Sequence, residues 1–578
     1  MIRAVSVTAL LFFLVPPAGS QTAPATEPGI SDWRQDIDEI VRDIRVFHPN
    51  PFTKVGELTF LRQAEALKNA VPSLTEEQRV AAAMRLVASL GDGHTQLEPD
   101  SSAFAFWYPI RIYEFTDGFF VTSAHKSVSD LAGAQVLEIA GHPASEVVAE
   151  ARKLMGADNV FHRKEKLYAL HSAALMKGLG YTDPGGQLKI KFRLRDGRVV
   201  ERDLVPTRTD DPAYKGFEAA FEWQFRREMF GVPFGKADDW ISAYSALPSV
   251  TFRTADTSRP PHFILGGPYV SRAMPQHHAY YVQMNQLDDT ELIPFLQAAL
   301  REVDQLKPRR LILDLRYNFG GDGSVVNDMI AEFVTRQNHP PWTELYILTG
   351  RKTFSAGIMA LSAFLKHTRP TLIGEPAGAA LNSFGDATSR KYSRTGLHLY
   401  VSTLRHQLSA SNDLSEFIPV DLPAPFSFAD YAAGRDPALD PILRGEEMRS
   451  IPVIALANGG VAARRAYEDR KARFASYDWW RPPPEIDLRN ACQMLMDQKR
   501  MPDALETCRL NADIHPYIWN VWLNLGRAQR LSGMQTEALK SYRRVLEVDP
   551  NNFNAHAICP LLAKASMSDG LPVCEAFK

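Results

Sequence analysis

The chain has 578 residues, of which 45% are hydrophobic and 23% are charged, and these proportions are typical of folded globular domains. Its 65 Lys and Arg residues against 67 Asp and Glu residues give a formal net charge of −2, so no basic surplus points to nucleic acid binding. A chain of this length exceeds what one hydrophobic core can serve, which predicts about three or four domains.

The first twenty residues have the pattern of an export signal. Arg3 precedes an apolar run of about a dozen residues that ends at Pro16 and Pro17, and the small residues Ala18 and Ser20 suit cleavage after Ser20. This run is too short to cross a bilayer, and no later stretch approaches ~18 consecutive apolar residues. We therefore expect an exported protein, periplasmic or secreted, with no integral membrane span.

Three helices are predicted next. Apolar residues recur at helical spacing from Ser31 to Phe47, and a second helix is expected near 60–71. A third begins at the capping-box sequence Thr75-Glu76-Glu77-Gln78. It leads directly into "GDGHT", where His94 is either a residue of a polar turn or a proton acceptor held at a loop tip.

The middle of the chain changes character twice. Between about 104 and 207, short runs such as "YPIRIYEF" and "LKIKFRLRDG" predict β-strands. Residues 208–270 are aromatic and irregular, and we expect a lid or a packing insert there. Beyond them, "AYYVQMN", "RRLILDLRYN", "ELYILTG" and "PTLIGEP" predict strands that alternate with helical segments. This alternation indicates a largely parallel sheet covered by helices.

The C-terminal region carries a repeat with a period of about 34 residues, as in tetratricopeptide repeats. The matching positions in 519–552 are Trp522, Leu525, Gly526, Gly533, Ala538, Tyr542 and Pro550. A weaker match one period earlier comprises Leu488, Ala504, Cys508 and Pro516. We expect two repeats and a capping helix beyond Phe553.

All four cysteines lie in this repeat region, and an even, clustered set in an exported chain favours disulfides. Four cysteines allow three pairings. Cys492 and Cys508 fall on facing helices of the first repeat, so they are the preferred pair, which leaves Cys559 with Cys574.

Two segments of the alternating region are candidates for chemistry. In "ILDLRYNFGGDG", Gly320 and Gly321 follow a strand and allow backbone N–H groups to approach a ligand. A third glycine of the dinucleotide fingerprint is missing, with Val326 at that spacing, and no Gly-Lys-Ser/Thr occurs, so no nucleotide cofactor is expected. In "TFSAG", Ser355 lies between a strand and a helix, as a nucleophile or as a helix N-cap.

Five motifs occur in order, namely "LGDGHT", "LILDLRYNFGG", "TFSAG", "LIGEPAG" and "YAAGRDPALD". Through them, over about residues 30–445, the chain resembles the tail-specific or carboxyl-terminal-processing serine peptidases, including the tricorn core protease. The resemblance implies a crotonase-like ββα core and a PDZ-like module. It also implies Ser355 as the nucleophile, with the N–H groups of Ala356 and of Gly320 or Gly321 as the oxyanion hole.

The chain departs from the bacterial branch of that family, which has a lysine base after the serine. The corresponding stretch "EPAGAALNSFGD" contains no lysine, and we expect Lys352 to point to solvent. The resemblance then implies His94 as the general base, as in the tricorn-like branch. Glu416 falls near the glutamate of that branch, with Asp413 and Asp92 as alternatives for the third member.

The expected fold class is multidomain α/β, with an all-α tetratricopeptide-like domain at the C-terminus. The predicted boundaries are 1–20 (signal peptide), 21–98 (N-terminal helical segment), 99–207 (PDZ-like module), 208–270 (aromatic-rich insert), 271–445 (serine peptidase core), 446–484 (helical linker) and 485–578 (tetratricopeptide-like repeats). We expect a polypeptide substrate, a possible protein partner at the repeats, and neither cofactor nor metal. A non-catalytic peptide- or ligand-binding protein on the same scaffold is the alternative, favoured by the missing lysine and by Gly357, where the family usually has alanine.

Overall fold

The computed structural model describes residues 28–99, 106–208, 240–242, 268–288, 290–336 and 340–577. The predicted signal peptide and most of the predicted aromatic-rich insert lie outside these residues. The chain divides into two compact units. The first contains the described residues through Thr368 together with Gly374–Ile418 and Ala424–Arg444, and the second contains Arg369–Ile373, Pro419–Pro423 and Gly445–Lys578.

Nineteen α-helices occur in the described residues. They are α1 Ile30–Phe47, α2 Glu57–Ala70, α3 Glu76–Ala88, α4 Ala144–Ala151, α5 Val160–Glu165, α6 Tyr168–His171, α7 Ala173–Gly178, α8 Leu292–Leu306, α9 Val326–Val334, α10 Ala356–His367, α11 Phe428–Ala432, α12 Leu439–Arg444, α13 Ile451–Asn458, α14 Gly460–Phe474, α15 Glu485–Asp497, α16 Met501–Ile514, α17 Trp519–Leu531, α18 Gln535–Val548 and α19 Ala555–Lys564. Within this part of the chain, no helix combines the length and the apolar character that a membrane crossing requires.

Twenty β-strands accompany these helices in the described residues. They are β1 Gln96–Pro99, β2 Phe106–Trp107, β3 Ile110–Phe115, β4 Gly118–His125, β5 Gln135–Ile139, β6 His142–Pro143, β7 Leu188–Arg193, β8 Val199–Leu204, β9 Thr207–Arg208, β10 Trp240–Ser242, β11 Tyr269–Met274, β12 Ala279–Met284, β13 Arg310–Asp314, β14 Glu344–Thr349, β15 Thr371–Gly374, β16 Asn382–Gly385, β17 Thr388–Tyr392, β18 Leu397–Val401, β19 Leu404–Gln407 and β20 Leu422–Pro423.

The N-terminal helices form where the sequence predicts them. Helix α1 buries Trp33, Ile37 and Ile44 on its apolar face. The capping box of α3 is confirmed, because Thr75 Oγ1 accepts the N–H of Gln78 at 3.4 Å and the Gln78 side chain accepts the N–H of Thr75 at 3.0 Å. These two bonds satisfy N–H groups that the first turn of a helix otherwise leaves unpaired. Helix α3 therefore starts at a fixed point and delivers the chain to the His94 loop.

The predicted parallel sheet is confirmed in the first unit. Strand β12 pairs in parallel with β13, and β13 pairs in parallel with β14, while β11 is antiparallel to β12. Every residue of β12, β13 and β14 is buried, as expected for strands with both faces covered. The loops that carry Gly320 and Ser355 follow β13 and β14, so both begin at the carboxyl edge of this sheet, where α/β folds bind their ligands.

Four further sheets occur in the described part of the first unit, and two of them are two-stranded, pairing β16 with β19 and β2 with β9. The β-rich region predicted after residue 104 supplies most of an antiparallel sheet in the order β10-β4-β5-β7-β8, with β3 also paired to β4, and β10 comes from the predicted insert. Strand β1 leaves the His94 loop and pairs antiparallel with β18, which in turn pairs with β17. Because β1 is anchored in this sheet, the loop before it has a fixed end as well as a fixed start.

The second unit is mostly helical. Helices α13 and α14, in the stretch predicted as a helical linker, share one apolar core with α15, α16 and α17. Residues of α18 and α19 form another core. Two short segments from earlier in the chain belong to the same unit. There the N–H of Leu372 donates to Asp421 Oδ2 at 2.8 Å, and the N–H of Ser450 donates to Thr371 Oγ1 at 2.7 Å.

The predicted disulfide pairing is confirmed. Cys492 is bonded to Cys508 and Cys559 to Cys574. The first bond joins α15 to α16, whereas the second joins α19 to the segment after it. Each bond therefore links structure that is adjacent along the chain.

Replacing Cys492 and Cys508 together by serine should destabilise the second unit by about 3 kcal/mol, because the bond closes a loop of roughly 15 residues and so restricts the unfolded chain. Thermal unfolding of the oxidised variant and the oxidised wild type measures the difference. The matched double serine variant of Cys559 and Cys574 should lose a similar amount, since its loop is of nearly equal length. Unchanged unfolding in both variants would contradict a stabilising role.

Candidate active site

Ser355 has a strained backbone. It lies on the turn between β14 and α10 with φ 52° and ψ −128°, a conformation that costs a non-glycine residue ~1–3 kcal/mol. Hydrogen bonds on both sides hold the turn, since Phe354 N–H donates to Asn318 O and Gly357 N–H donates to Phe354 O, both at 2.9 Å. Although Ser355 occupies the N-cap position of α10, its hydroxyl makes no capping hydrogen bond to the described residues. The N-cap alternative therefore does not account for this serine.

The glycine loop after β13 touches the serine turn. A Cβ atom on Gly320 would lie 2.6 Å from the Cβ of Ser355 and 2.9 Å from the N of Ala356. Gly320 also has a φ of +109°, which side chains rarely tolerate. Glycine at this position thus allows the backbone of the loop to lie directly against the serine and the first N–H group of α10.

The three predicted oxyanion donors differ in their hydrogen bonds. The N–H of Gly320 donates to Asn318 Oδ1 at 3.0 Å, and the carbonyl of Gly320 accepts the N–H of Leu287 at 2.8 Å. In the described part of the chain, the N–H groups of Gly321 and Ala356 have no such acceptor. Gly320 therefore shapes the site, whereas Gly321 and Ala356 have N–H groups available to a ligand.

Gly357 has a packing role. A Cβ atom at this position would lie 2.7 Å from the carbonyl oxygen of Asn318 and 2.8 Å from its Oδ1. Alanine would therefore collide with the residue that also holds the N–H of Gly320. The glycine is a consequence of this close approach and gives no support to a non-catalytic protein.

His94 is brought to the serine turn by an aromatic contact. Its ring stacks on Phe354, the residue before Ser355, with 4.4 Å between ring centroids and 23° between ring planes. Its Nδ1 atom is buried and has no hydrogen-bond partner among the described residues. Burial lowers the pKa of His94 to about 4, and the charge of Asp92 opposes this effect. The imidazole is thus neutral near pH 7 and can accept a proton.

Asp92 anchors the loop of His94. Its Oδ1 accepts the N–H of His94 at 3.0 Å, and its Oδ2 accepts hydroxyl hydrogens from Thr95 at 2.5 Å and Ser402 at 2.6 Å. The Nε2 of His48 lies 3.1 Å from the same Oδ2. Burial alone would raise the pKa of Asp92, but these hydrogen bonds lower it to about 2. This carboxylate therefore binds the backbone of the His94 loop and not the imidazole ring.

The other two predicted carboxylates have different partners. The Oε1 of Glu416 lies 3.0 Å from Lys54 Nζ, and the Glu416 side chain is 62% exposed. Asp413 accepts the N–H of Ser415 at 2.9 Å. Neither forms a hydrogen bond to the His94 ring in the described structure, so the third member stays a prediction.

The chain is similar to solved protease structures. Mature CPAF complexed with lactacystin is 13% identical at a TM-score of 0.46, over 70% of this chain and 96% of that one. The photosystem II D1 C-terminal processing protease is 13% identical in sequence, with a TM-score of 0.32, and the match covers 72% of this chain and 98% of that one. A putative S41 protease from Bacteroides fragilis is 12% identical in sequence, with a TM-score of 0.31, and the match covers 76% of this chain and 99% of that one.

No family model and no curated protein matches the sequence. Because all three TM-scores lie below 0.5, the case for a function depends on the residues of this chain alone.

Lys352 does not point to solvent as predicted. Its side chain is only 13% exposed, and its Nζ lies 3.6 Å from Oε2 of Glu165. The side chain of Glu165 is itself only 9% exposed. The expectation failed because a residue three positions before the serine turn packs against the end of α5. The ammonium group is thereby committed to an ion pair.

The motif around Asp314 and Arg316 forms a buried ion-pair network. Arg316 lies 2.6 Å from Asp314 and 2.9 Å from Asp436, and the hydroxyl of Tyr281 donates to Asp314 at 2.7 Å. Asp436 belongs to the motif "YAAGRDPALD". This buried ion-pair network joins two motifs that are distant in the sequence.

Residues on the far side of the His94 loop are not predicted from the sequence. The ring of His162 on α5 lies 4.1 Å from the ring of Phe354, so the two histidines contact the same phenylalanine. Asp158 accepts the N–H of Gly93 at 2.5 Å. No periodicity in the sequence could have identified them, because only His162 lies within α5, whereas Asp158 precedes this short helix and Lys166 follows it.

Proposed function

We propose that the protein is a serine-type peptidase that hydrolyses polypeptide substrates through an acyl-enzyme on Ser355, with His94 as general base. The observation that carries the proposal is the strained turn at Ser355, which has an uncapped hydroxyl beside the glycine loop. Backbone strain of this kind is retained where function requires it.

The first chemical step is attack on the peptide carbonyl. The Oγ of Ser355 forms a bond to the carbonyl carbon while its proton passes to the imidazole of His94. The electron pair of the carbonyl π bond moves to the oxygen, and the N–H groups of Gly321 and Ala356 stabilise the resulting oxyanion. One such donor contributes ~2.7–4 kcal/mol to the transition state.

The second step releases the amine. The imidazolium of His94 gives its proton to the leaving nitrogen as the carbon–nitrogen bond breaks, which leaves an ester on Ser355. Water then attacks the ester with His94 again as base and Ser355 as leaving group. The charge of Asp92 favours the imidazolium form during both steps, against the larger opposing effect of burial.

The wider features of the proposal have separate support. Two disulfides are favoured by an oxidising compartment and so support export. The paired helices of residues 485–578 support tetratricopeptide-like repeats that recruit a polypeptide substrate or a protein partner. The parallel strands followed by helices support the crotonase-like core, and the antiparallel sheet after residue 104 supports the PDZ-like module.

The alternative is a peptide- or ligand-binding protein on the same scaffold, which keeps the fold without turnover. Labelling of the purified chain by a fluorophosphonate probe separates the two, since the probe reacts with an activated serine. Ser355→Ala should abolish labelling. Ser362→Ala, the same substitution further along α10, should label as the wild type does. A wild type that fails to label would favour the binding protein.

The acid limb of the pH profile should lie near pH 4. Burial lowers the pKa of His94 to about 4, and only the neutral ring accepts the serine proton, so kcat/KM is lost as the pH falls through this value and is retained above it. An unburied imidazole would give a limb near pH ~6.5. Assays with a small peptide, with circular dichroism as the folding control at each pH, would measure the midpoint. A midpoint at the unburied value would show that the base is solvated.

A further inference from the structure

The loop that carries His94 lies directly against the segment before α5. A Cβ atom on Gly156 would lie 2.1 Å from the carbonyl oxygen of Asp92 and 2.8 Å from that of Thr95. A Cβ atom on Gly93 would lie 2.5 Å from the ring of His162. The two backbones therefore touch, and any charge that appears in this contact acts on the His94 loop.

Two carboxyl groups accept adjacent N–H groups of this loop. Asp158 Oδ1 accepts the N–H of Gly93 at 2.5 Å, and Asp92 Oδ1 accepts the N–H of the next residue, His94, at 3.0 Å. The second oxygen of Asp158, Oδ2, is buried and has no hydrogen-bond partner among the described residues. Consecutive N–H groups are thus held by two acids that are far apart in sequence.

The hydrogen bonds decide which acid is ionised. Asp92 lies 3.1 Å from the Nε2 of the titratable His48 and receives hydroxyl hydrogens from Thr95 and Ser402 in addition to the N–H of His94. In contrast, one hydrogen bond, from Gly93, reaches Asp158 in the described structure. A carboxylate with several donors keeps its charge, and a buried one with few donors takes up a proton. Burial, together with the charge of Asp92, accordingly raises the pKa of Asp158 to about 8.

We propose that Asp92 and Asp158 hold one proton between them at neutral pH, that the proton is on Asp158, and that this neutral acid is a positioning residue for the His94 loop. Ionisation of Asp158 would place two like charges on adjacent N–H groups, and their repulsion would displace the loop. The charged groups that face Asp158 are Asp92 on the loop, Lys166 after α5 and Lys54 after α1, and both lysines oppose the rise in its pKa.

The first test needs no enzymatic activity. The pKa of Asp158 is raised in the folded protein to about 8 from an unfolded value near 3.9, so its stabilising effect is complete below the unfolded value and is lost as the pH rises through the folded one. The thermal midpoint of the wild type should therefore fall more steeply between about pH 4 and 8 than that of Asp158→Asn, which keeps an acceptor oxygen and cannot ionise.

The matched control is Asp328→Asn, an exposed aspartate on α9 of the same unit, which should follow the wild-type curve. Parallel curves for the wild type and Asp158→Asn would overturn the proposal. If Asp158→Asn does not fold, carbon-13 NMR of aspartate-labelled wild type replaces it. One carboxyl titrating near pH 8 is then expected, and titration of every aspartate below about pH 5 would overturn the proposal.

The second test rests on the proposed peptidase function. The wild type should lose activity as the pH rises through about 8, the pKa of Asp158, and Asp158→Asn should lack this alkaline limb. Burial lowers the pKa of Lys166 to about 8 as well, and the charge of Asp158 opposes this effect, so Lys166→Met is the control: it should keep the alkaline limb of the wild type if that limb belongs to Asp158. An alkaline limb that is identical in the wild type and Asp158→Asn would overturn the positioning role. A protein without peptidase activity that still passes the unfolding test would refute the proposed function and leave the shared proton intact.

Discussion

Replacing Ser355 by alanine should lower kcat for peptide hydrolysis by a factor on the order of 10⁴ to 10⁶, and replacing His94 by alanine should cost a similar factor. The reason is that serine attack and proton transfer are one event, so neither group works without the other. The double variant should be scarcely slower than either single one, because nucleophile and base act as a unit. Single-turnover assays with a small chromogenic peptide would measure all three.

Two controls keep this result specific. Ser362→Ala changes a buried serine of the same helix and should leave the rate within a few-fold. His142→Ala changes an exposed histidine of β6 and should do the same. Robust turnover by His94→Ala that still depends on Ser355 would refute the histidine base. A Lys352→Ala variant as inactive as Ser355→Ala would instead point to a lysine base.

Replacing Gly320 by alanine should lower kcat by about a hundred- to a thousand-fold with a much smaller effect on KM, the loss typical of a disrupted oxyanion hole. The new methyl group would start 2.6 Å from the Cβ of Ser355 and 2.9 Å from the N of Ala356, so it would move the nucleophile and cover a donor. Both groups act mainly in the transition state, which is why turnover should suffer more than binding.

The matched control for this prediction is Gly197→Ala. Gly197 also has a positive φ, of +88°, but a Cβ atom there meets nothing within 4 Å. The control therefore carries the backbone strain of the substitution without the collision at Ser355. Equal losses in both variants would assign the effect to strain and instability. A rise in KM with unchanged kcat in Gly320→Ala would contradict the oxyanion assignment.

The sequence predicts those parts of the molecule that depend on local chemistry. Strands β12 to β14 are continuous apolar runs, and α3 begins at a capping box, so period and capping suffice to locate them. The positions of Gly320 and Ser355 in the loops after β13 and β14 are predictable as well, because the ends of these two strands are predictable. The disulfides are predictable because each pair lies on adjacent segments of the chain.

What the sequence does not predict depends on packing between distant segments. Asp158 and Gly93 are 65 residues apart, and no periodicity within either segment indicates that they meet. The hydrogen bond from the Gly320 N–H to Asn318 Oδ1 depends on the conformation of the loop, which the sequence does not reveal. Lys352 was expected in solvent because lysine is usually exposed, yet Glu165 lies where its side chain ends.

The second unit takes its residues from three places in the chain, namely Arg369–Ile373, Pro419–Pro423 and Gly445–Lys578. The first two stretches lie inside the sequence of the first unit, and they supply Thr371 and Asp421 to hydrogen bonds within the second. Neither unit is therefore a continuous stretch of sequence that a single recombination event could exchange. A nonsense mutation after Arg444 would leave Arg369–Ile373 and Pro419–Pro423 without the helices of their own unit.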